Sequence, residues 1–255
     1  MTAFTDPTVG LPAWHVDVEG CTNFRDAGGW TRPDGARMRT GALYRSDDPV
    51  RLTPAGRAAV EALGLALVVD LRQHAQVARG PGFLPTEHTL HVPLVDRVLD
   101  VKNPRTLQSP ADMADLYEDM LERSGPALGR ALDAVADHIG RGPVLVHCAY
   151  GKDRAGLMTA LVHAAVGLPA EVIAADYARS DEPTRRRREW TLAEPLPDDP
   201  PSAHAPPYLF TAPEAAMLDL LGRLTQRHGS LAGWVAHFPL AADTTDRLCR
   251  ALLEH

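Results

Sequence analysis

The apolar run "PVLV" at residues 143–146 ends directly in a charged loop, and the helical pattern "LMTALVHAAVGLP" follows that loop. A second apolar run, "ALVVDLR" at 66–72, also ends in charged residues. Runs that are apolar on both faces are typical of buried parallel strands. Strands that alternate with helices predict an α/β fold with a central, mostly parallel sheet and helices on both faces.

The remaining elements are predicted from local signals along the chain. Further strands are expected within 41–47 and 88–94, and helices within 52–65, 111–139 (interrupted near 124–127), 154–166, 170–180 and, as three helices, 213–254. Thr53 is the expected N-cap of the first helix, with Pro54 at its first position. Residues 95–110 are expected to form a loop or lid, and residues 184–207 a charged, then proline-rich surface excursion.

Composition restricts the classes of function. The net charge of −7 argues against bulk nucleic-acid binding. No apolar stretch reaches the roughly 18 residues of a membrane span. The N-terminus has no signal-peptide pattern, so the cytoplasm is the expected location. Cys21, Cys148 and Cys249 are too few and too scattered for a disulfide framework. No CxxC or HExxH spacing predicts a metal site, and we expect no cofactor.

The loop "HCAYGKDRAG" at 147–156 has the composition of an anion site with a nucleophile at its centre. The N–H groups at the start of a helix favour negative charge. Gly151 permits close backbone approach, Lys152 adds a point charge, and the planar fork of Arg154 suits phosphate oxygens. The same surroundings are expected to lower the pKa of Cys148, whose thiolate could attack phosphorus.

Three other interpretations of this loop are weaker. A P-loop NTPase motif would need glycine at Val146 and Ser or Thr at Asp153. A metal site is disfavoured because His147 and Cys148 are adjacent and point in different directions. A lone cysteine is usually a buried structural residue, but the charged loop around Cys148 argues against that interpretation.

The spacing of Cys148 and Arg154 gives HCx5R, the signature loop of cysteine-dependent phosphatases. Other motifs accompany it, namely "NFRDAGG" (23–29), "LYRSD" (43–47), "LTPAG" (52–56), "VVDLR" (68–72) and "DYARS" (176–180). Together they make the chain resemble a bacterial branch of this class, the tyrosine-phosphatase-like and triple-specificity phosphatases. We therefore expect a loose leader at residues 1–14 and a single phosphatase-like catalytic domain at 15–255. A lid-like element at about 95–125 and C-terminal helices would complete that domain.

The resemblance implies a role for each matching loop residue. Cys148 would be the nucleophile, and Arg154 with the N–H groups of 149–154 would hold the phosphate. Lys152 would match a basic residue linked to phosphoinositide acceptance. Asp153 would match a loop aspartate proposed as the general acid, since the branch lacks the usual Trp-Pro-Asp loop and this chain has none either. The remaining phosphate-binding residues are Ala149, Tyr150 and Gly151.

Four residues outside this set are expected to support the site. Asp70 and Asp96 are rival general acids at the ends of two other predicted strands. An ion pair with Arg72 or Arg154 explains Asp70 equally well, and Asp96 also fits a solvated loop residue. His147 is expected to orient the loop by hydrogen bonding.

One departure from the family pattern concerns the residue after the loop arginine. The family carries Thr or Ser there, and this chain has Ala155. Loss of a hydroxyl that bonds the leaving thiolate would cost about 1.5–3 kcal/mol and slow hydrolysis of a phosphocysteine.

The expected function is metal-independent phosphate monoester hydrolysis through phosphocysteine. The substrates would be phosphotyrosine, phosphoserine and phosphothreonine proteins, with phosphoinositides as a further class. The alternatives are a small-molecule phosphatase for a nucleotide or biosynthetic intermediate, and a phospho-ligand binding module. The expected partners are accordingly a phosphorylated protein or a small phosphomonoester, without nucleic acid or membrane insertion.

Overall fold

The fold is built on a central sheet. A computed structural model describes residues 14–80, 82–94, 107–196 and 205–254. Within them a five-stranded sheet has the order β1-β3-β6-β4-β5, and β2 pairs with β7 in a two-stranded sheet. The strands are β1 (Arg25–Asp26), β2 (Arg37–Met38), β3 (Leu43–Ser46), β4 (Leu67–Asp70), β5 (Thr89–His91), β6 (Val144–His147) and β7 (Leu253–Glu254).

The central sheet is mostly parallel, as the sequence predicts. β3, β6, β4 and β5 are mutually parallel neighbours, and the short β1 is antiparallel to β3. The register places Ser46 beside His147, His147 beside Asp70, and Asp70 beside His91. The carboxyl ends of four strands therefore meet along one edge, where ligands bind in open α/β sheets.

Helices cover both faces of the sheet. They are α1 (Pro54–Ala62), α2 (His74–Val77), α3 (Pro110–His138), α4 (Asp153–Ala165), α5 (Ala170–Ala178), α6 (Asp181–Ala193), α7 (Glu214–His228), α8 (Leu231–Ala236) and α9 (Thr244–Leu252). On one face, Val60 of α1 packs in a cluster with Val68 and Leu145 of the sheet. On the other, Val69 and Val146 belong to a larger cluster that includes α3, α4 and the C-terminal helices. Each fully buried side chain of this size contributes about 1.5–3 kcal/mol.

Two helices show how local sequence sets the fold around the edge. In α1 the hydroxyl of Thr53 accepts a 3.1 Å hydrogen bond from the N–H of Gly56, which confirms the expected cap. In α4, apolar residues are buried on every side, because this helix lies between the sheet and α3, α5, α8 and α9. Such a helix has little freedom to shift, so the loop that precedes it has a fixed end.

The predicted interruption of α3 near residues 124–127 is wrong. The helix is continuous from Pro110 to His138, with Pro126 inside it. An internal proline removes one backbone hydrogen bond and costs about 3 kcal/mol. Burial of Met120 and Leu121 before it, and of Leu128 after it, offsets that cost.

The predicted surface excursion is also wrong over residues 184–193, because α6 occupies them. Asp181 lies in its first turn and pairs with Arg185, one turn later, at 2.6 Å. Arg187 is buried and pairs with Asp48 at 2.8 Å. The four consecutive arginines at 185–188 thus belong to a helix that packs on the loop after β3. Residues 197–204 lie outside the described part of the chain.

The tail contains the three expected helices, α7 to α9, and ends in β7, which the sequence did not indicate. Across the described ranges, no helix is both long and apolar enough to cross a membrane.

Candidate active site

The centre of the site is the loop from His147 to Arg154, which joins β6 to α4. Gly151 has a φ of +68°, a left-handed conformation that favours glycine. A Cβ at this position would lie 2.6 Å from the carbonyl carbon of Ser46. Both the backbone angle and the neighbouring strand therefore require glycine here.

The carbonyl groups of the loop are held from outside it. The oxygen of Ala149 accepts from the N–H of Asp48 at 3.2 Å, and that of Tyr150 accepts from Asn23 Nδ2 at 2.9 Å. Arg45 Nη2 donates to the oxygens of Gly151 at 2.7 Å and Lys152 at 3.2 Å. In a trans peptide, the C=O of one residue and the N–H of the next point in opposite directions. The N–H groups of residues 150–153 are therefore directed toward the interior of the loop.

Cys148 is almost completely buried within this loop. The backbone N–H groups of Gly151 and Ala155 donate to its sulfur, and Arg154 lies close enough to stabilise a thiolate. Burial nevertheless raises the pKa of the Cys148 thiol above its usual value, against the opposing effects of Arg154 and the two donors. The expectation of a lowered pKa is thus wrong, because desolvation outweighs the local positive potential.

Arg154 is buried at the start of α4, with its guanidinium group held by two acceptors. Its Nη1 donates to the carbonyl oxygen of Leu71 at 3.2 Å and to Gln76 Oε1 at 2.9 Å. Gln76 belongs to α2, and its side chain also accepts from the N–H of Gln73. Gln76 therefore orients the arginine, a role that its sequence context did not indicate.

Asp70 forms a buried ion pair with Arg72. Two hydrogen bonds, of 3.0 Å and 2.8 Å, join Nε and Nη2 of Arg72 to the two carboxylate oxygens. Burial would raise the pKa of Asp70, yet His147 and Arg72 lower it to about 2. An aspartate that is ionised at neutral pH and held in this way is a poor proton donor, so the structure favours the ion-pair interpretation.

His147 directly precedes Cys148 in the chain, and its Nε2 lies 3.5 Å from Asp70 Oδ2. Burial lowers the pKa of His147 to about 4, although Asp70 acts in the opposite direction. The imidazole is consequently neutral at physiological pH, and neither ring nitrogen has a hydrogen-bond partner of ordinary geometry among the described residues. Orientation of the loop by a hydrogen bond of His147 stays a prediction. Asp96, the other rival acid, lies outside the described residues.

Asp153 and Lys152 face each other at the entrance to α4. Lys152 Nζ lies 2.8 Å from Asp153 Oδ1, and the hydroxyl of Tyr117 donates to the same oxygen at 2.6 Å. The Lys152 side chain is almost fully buried beside Tyr117 and Met113. The lysine and Asp153 therefore form a mostly buried ion pair.

A second group of buried charged residues packs against the loop. Arg45 Nη1 pairs with Asp176 Oδ2 at 2.8 Å, and Arg25 Nη2 lies 3.7 Å from the same oxygen. Burial would raise the pKa of Asp176, but Arg25 and Arg45 bring it below its usual value. Arg25 also donates to the hydroxyl of Ser180 at 2.9 Å. Three motifs that are far apart in sequence, at 23–29, 43–47 and 176–180, therefore converge under the loop.

Tyr150, a residue of the loop itself, contacts a neighbouring segment. The ring of Tyr150 packs edge-on against Phe210, with 5.5 Å between the ring centres, as a wall residue would. Cys21 and Cys249 are both free thiols, as is Cys148. Of the predicted site residues, those from His147 to Arg154 and the Asp70–Arg72 pair meet at one edge of the sheet.

A buried cysteine at the carboxyl end of a parallel strand, enclosed by inward N–H groups and followed by a helix-start arginine, is the arrangement of a cysteine-dependent phosphatase. The comparison with protein families agrees, because the profile described as "Tyrosine phosphatase family" matches residues 16–254. The chain belongs to this family, and it is a phosphatase.

Curated relatives extend this assignment. The chain is 32% identical to the triple specificity protein phosphatase PtpB of Mycobacterium tuberculosis, over 93% of this chain and 98% of the relative. It is also 32% identical to a putative tyrosine-protein phosphatase of Cupriavidus necator, over 68% of this chain and 65% of the relative. The predicted family membership is thereby confirmed.

Proposed function

We propose that this protein hydrolyses phosphate monoesters through a phosphocysteine formed on Cys148. The observation that carries the proposal is the enclosure of the Cys148 sulfur by a loop whose N–H groups face inward, with Arg154 beside it. Amide donors and a guanidinium group suit the equatorial oxygens of a phosphoryl group in transfer.

In the first step the Cys148 thiol gives up its proton to water, the resulting thiolate attacks phosphorus, the S–P bond forms, and the P–O bond to the leaving group breaks. Arg154 and the inward N–H groups stabilise the charge on the transferred phosphoryl group. For this step Asp153 must carry a proton in place of its ion pair with Lys152, and it gives that proton to the departing oxygen. These groups supply nucleophile, charge stabilisation and acid, so the proposed reaction needs no metal ion.

In the second step water attacks phosphorus, the S–P bond breaks, and Cys148 leaves as the thiolate. Asp153, now a carboxylate, takes the proton from the attacking water. The backbone N–H of Ala155 donates to the sulfur, so residue 155 still stabilises the leaving thiolate without a hydroxyl. Together with the N–H of Gly151, this donor supports turnover, although the step remains slower than it would be with an additional hydroxyl donor.

The substrate class is proposed from the relatives together with the site. The relative named as a triple specificity protein phosphatase supports phosphorylated proteins as substrates, and we propose phosphotyrosine, phosphoserine and phosphothreonine proteins. Phosphoinositides are proposed as a further class because Lys152, in the loop, matches the basic residue that the family resemblance links to them. Small phosphomonoesters are the alternative, to be separated by relative kcat/KM on peptides, inositides and nucleotides. A nucleophilic thiol works best in a reducing compartment, which supports the cytoplasm as the location.

Ala155 favours a second candidate function, that of a module that binds phosphorylated ligands without hydrolysing them. In this case the site would bind phosphate and form no free phosphate from its ligand. Multiple turnovers of any phosphomonoester would exclude this candidate.

Cys148→Ser tests the proposal. The serine hydroxyl is a far weaker nucleophile at neutral pH, so hydrolysis of p-nitrophenyl phosphate should cease while inorganic phosphate still binds. Cys249→Ser is the matched control, since that thiol lies against the carbonyl of Ala165 in the far end of α4 and should be silent. Appreciable hydrolysis by Cys148→Ser would refute the nucleophile assignment.

Asp153→Asn tests the general acid separately. p-Nitrophenolate leaves with little need of a proton, whereas phenolate needs one. The variant should therefore lose much more activity on phenyl phosphate than on p-nitrophenyl phosphate. Equal losses on the two substrates would remove Asp153 from this role.

A further inference from the structure

Two buried tyrosines lead to the carboxylate of Asp153. The hydroxyl oxygen of Tyr117, on α3, lies 2.6 Å from Asp153 Oδ1, and the hydroxyl of Tyr177, on α5, lies 2.7 Å from that of Tyr117. The two rings meet edge to face, with 5.8 Å between their centres. Both tyrosines are almost completely buried, so their positions are fixed by packing.

The direction of the hydrogen bonds follows from the number of protons. The Tyr117 hydroxyl has a single hydrogen, which it donates to the carboxylate. Tyr177 must then donate to Tyr117. Burial raises the pKa of both phenols well above its usual value, so both remain protonated donors at physiological pH.

These contacts are compatible with a carboxyl group that carries a proton. Tyr117 and Lys152 both meet Oδ1, and this oxygen can accept hydrogen bonds in the ionised and in the protonated acid alike. The proton would then reside on Oδ2. A fixed Oδ1 sets the plane of the carboxyl group and thereby the direction in which Oδ2 gives its proton.

We propose that Tyr117, itself oriented by Tyr177, is the positioning residue for the acid Asp153 and holds its carboxyl group in the geometry needed for proton transfer. This inference rests on the proposed function of Asp153. It adds two residues that the HCx5R loop does not contain, from helices that start 38 residues before and 22 residues after Cys148, at Pro110 and Ala170.

Tyr117→Phe is the direct test, because it removes one oxygen and retains the buried ring. We expect kcat on phenyl phosphate to fall about tenfold, a part of the roughly hundredfold or larger contribution of general acid catalysis. On p-nitrophenyl phosphate the loss should be below about twofold, and the affinity for inorganic phosphate should be unchanged. Tyr177→Phe should also lower kcat selectively on phenyl phosphate, but by a smaller factor than Tyr117→Phe.

Tyr44→Phe is the matched control, since this buried tyrosine lies in the cluster on the opposite face of the sheet and should leave both substrates unaffected. A general loosening of the loop would lower activity on both substrates and weaken phosphate binding. Equal losses, or no loss, in Tyr117→Phe would therefore overturn the inference.

Asp153→Asn separates this failure from failure of the proposed function. If Asp153→Asn is selective for phenyl phosphate and Tyr117→Phe is not, the acid stands and the positioning role is wrong. If Asp153→Asn shows no selectivity, the assignment of the acid fails and the role of Tyr117 fails with it.

Discussion

Arg45 Nη2 donates to the carbonyl oxygen of Gly151 at 2.7 Å, although the two residues are 106 positions apart in the chain. The arginine is completely buried in β3, and it also pairs with Asp176. Because its hydrogen bonds turn loop carbonyls away from the centre, they direct the following N–H groups inward. A cation from the neighbouring strand thus shapes the anion site without entering it.

Arg45→Met should reduce the free energy of phosphate binding by more than it reduces the free energy of unfolding. The Gly151 carbonyl would lose this donor, which costs about 1–3 kcal/mol, whereas the Lys152 carbonyl would keep its bond from the N–H of Gly156. Arg25 would still accompany the buried Asp176. Isothermal titration with inorganic phosphate and urea unfolding would measure the two effects. Arg25→Met is the comparison, because this side chain reaches the loop indirectly, through Asn23 and through the Asp176–Arg45 pair. A loss of affinity as large in Arg25→Met would contradict the role given to Arg45.

Gly151→Ala should abolish phosphate binding and destabilise the protein. A left-handed backbone costs an L-residue about 1–2 kcal/mol, and the new Cβ would collide with the backbone of Ser46. Gly64→Ala offers a matched comparison, since Gly64 has a φ of +61° with no atom within 4 Å of the Cβ position. The loss of unfolding free energy should be larger at Gly151 by about 1–3 kcal/mol. Equal losses would show that the close approach to Ser46 is unimportant.

Ala155→Ser should speed the second step by supplying the hydroxyl that the family carries. One additional hydrogen bond to the leaving thiolate would accelerate phosphocysteine hydrolysis by roughly tenfold. The burst and steady-state phases of p-nitrophenyl phosphate hydrolysis would separate this step from the first. Ala155→Thr should also accelerate phosphocysteine hydrolysis. Its additional methyl group must fit a buried position, and any strain there would reduce the gain in rate. An unchanged steady-state rate in both variants would mean that hydrolysis is not limited by this donor.

The buried His147 should make the fold sensitive to mild acid. Its folded pKa of about 4 lies below the unfolded value of about 6.5. Between these values the unfolded chain binds a proton that the folded protein excludes, so stability falls as the pH is lowered through this window. From about pH 7 to about pH 5 this site should contribute a loss of about 2 kcal/mol.

Urea unfolding of the wild type and of His147→Gln at both pH values would isolate that contribution, since other groups titrate in both proteins. The variant should lose less stability than the wild type over the same interval. Identical losses would show that His147 is not the group responsible.

The sequence predicts the parts of the site that are contiguous in the chain. The strand, loop and helix that carry Cys148 and Arg154 depend on local patterns, so they were predicted correctly. Arg45, Asp176 and Tyr117 could not be assigned, because their contacts with the loop depend on how distant segments pack. The motifs at 43–47 and 176–180 were visible, but nothing in them showed that Arg45 and Asp176 pair beneath the loop.

The errors have the same origin. The direction in which the pKa of Cys148 shifts depends on the complete burial of this side chain, which a loop sequence does not reveal. The continuity of α3 across Pro126 depends on packing against α7 and α4, and the helical state of residues 184–193 depends on the pairing of Arg187 with Asp48. In each case a tertiary interaction outweighs the local preference.

Rapid mixing with p-nitrophenyl phosphate in the presence of EDTA tests the phosphocysteine mechanism most directly. We expect a burst of about one p-nitrophenolate per enzyme, because Cys148 takes one phosphoryl group before slower hydrolysis begins. The burst should persist in EDTA and disappear in Cys148→Ser. Abolition of all release by EDTA, or an equal burst from Cys148→Ser, would contradict catalysis by this cysteine.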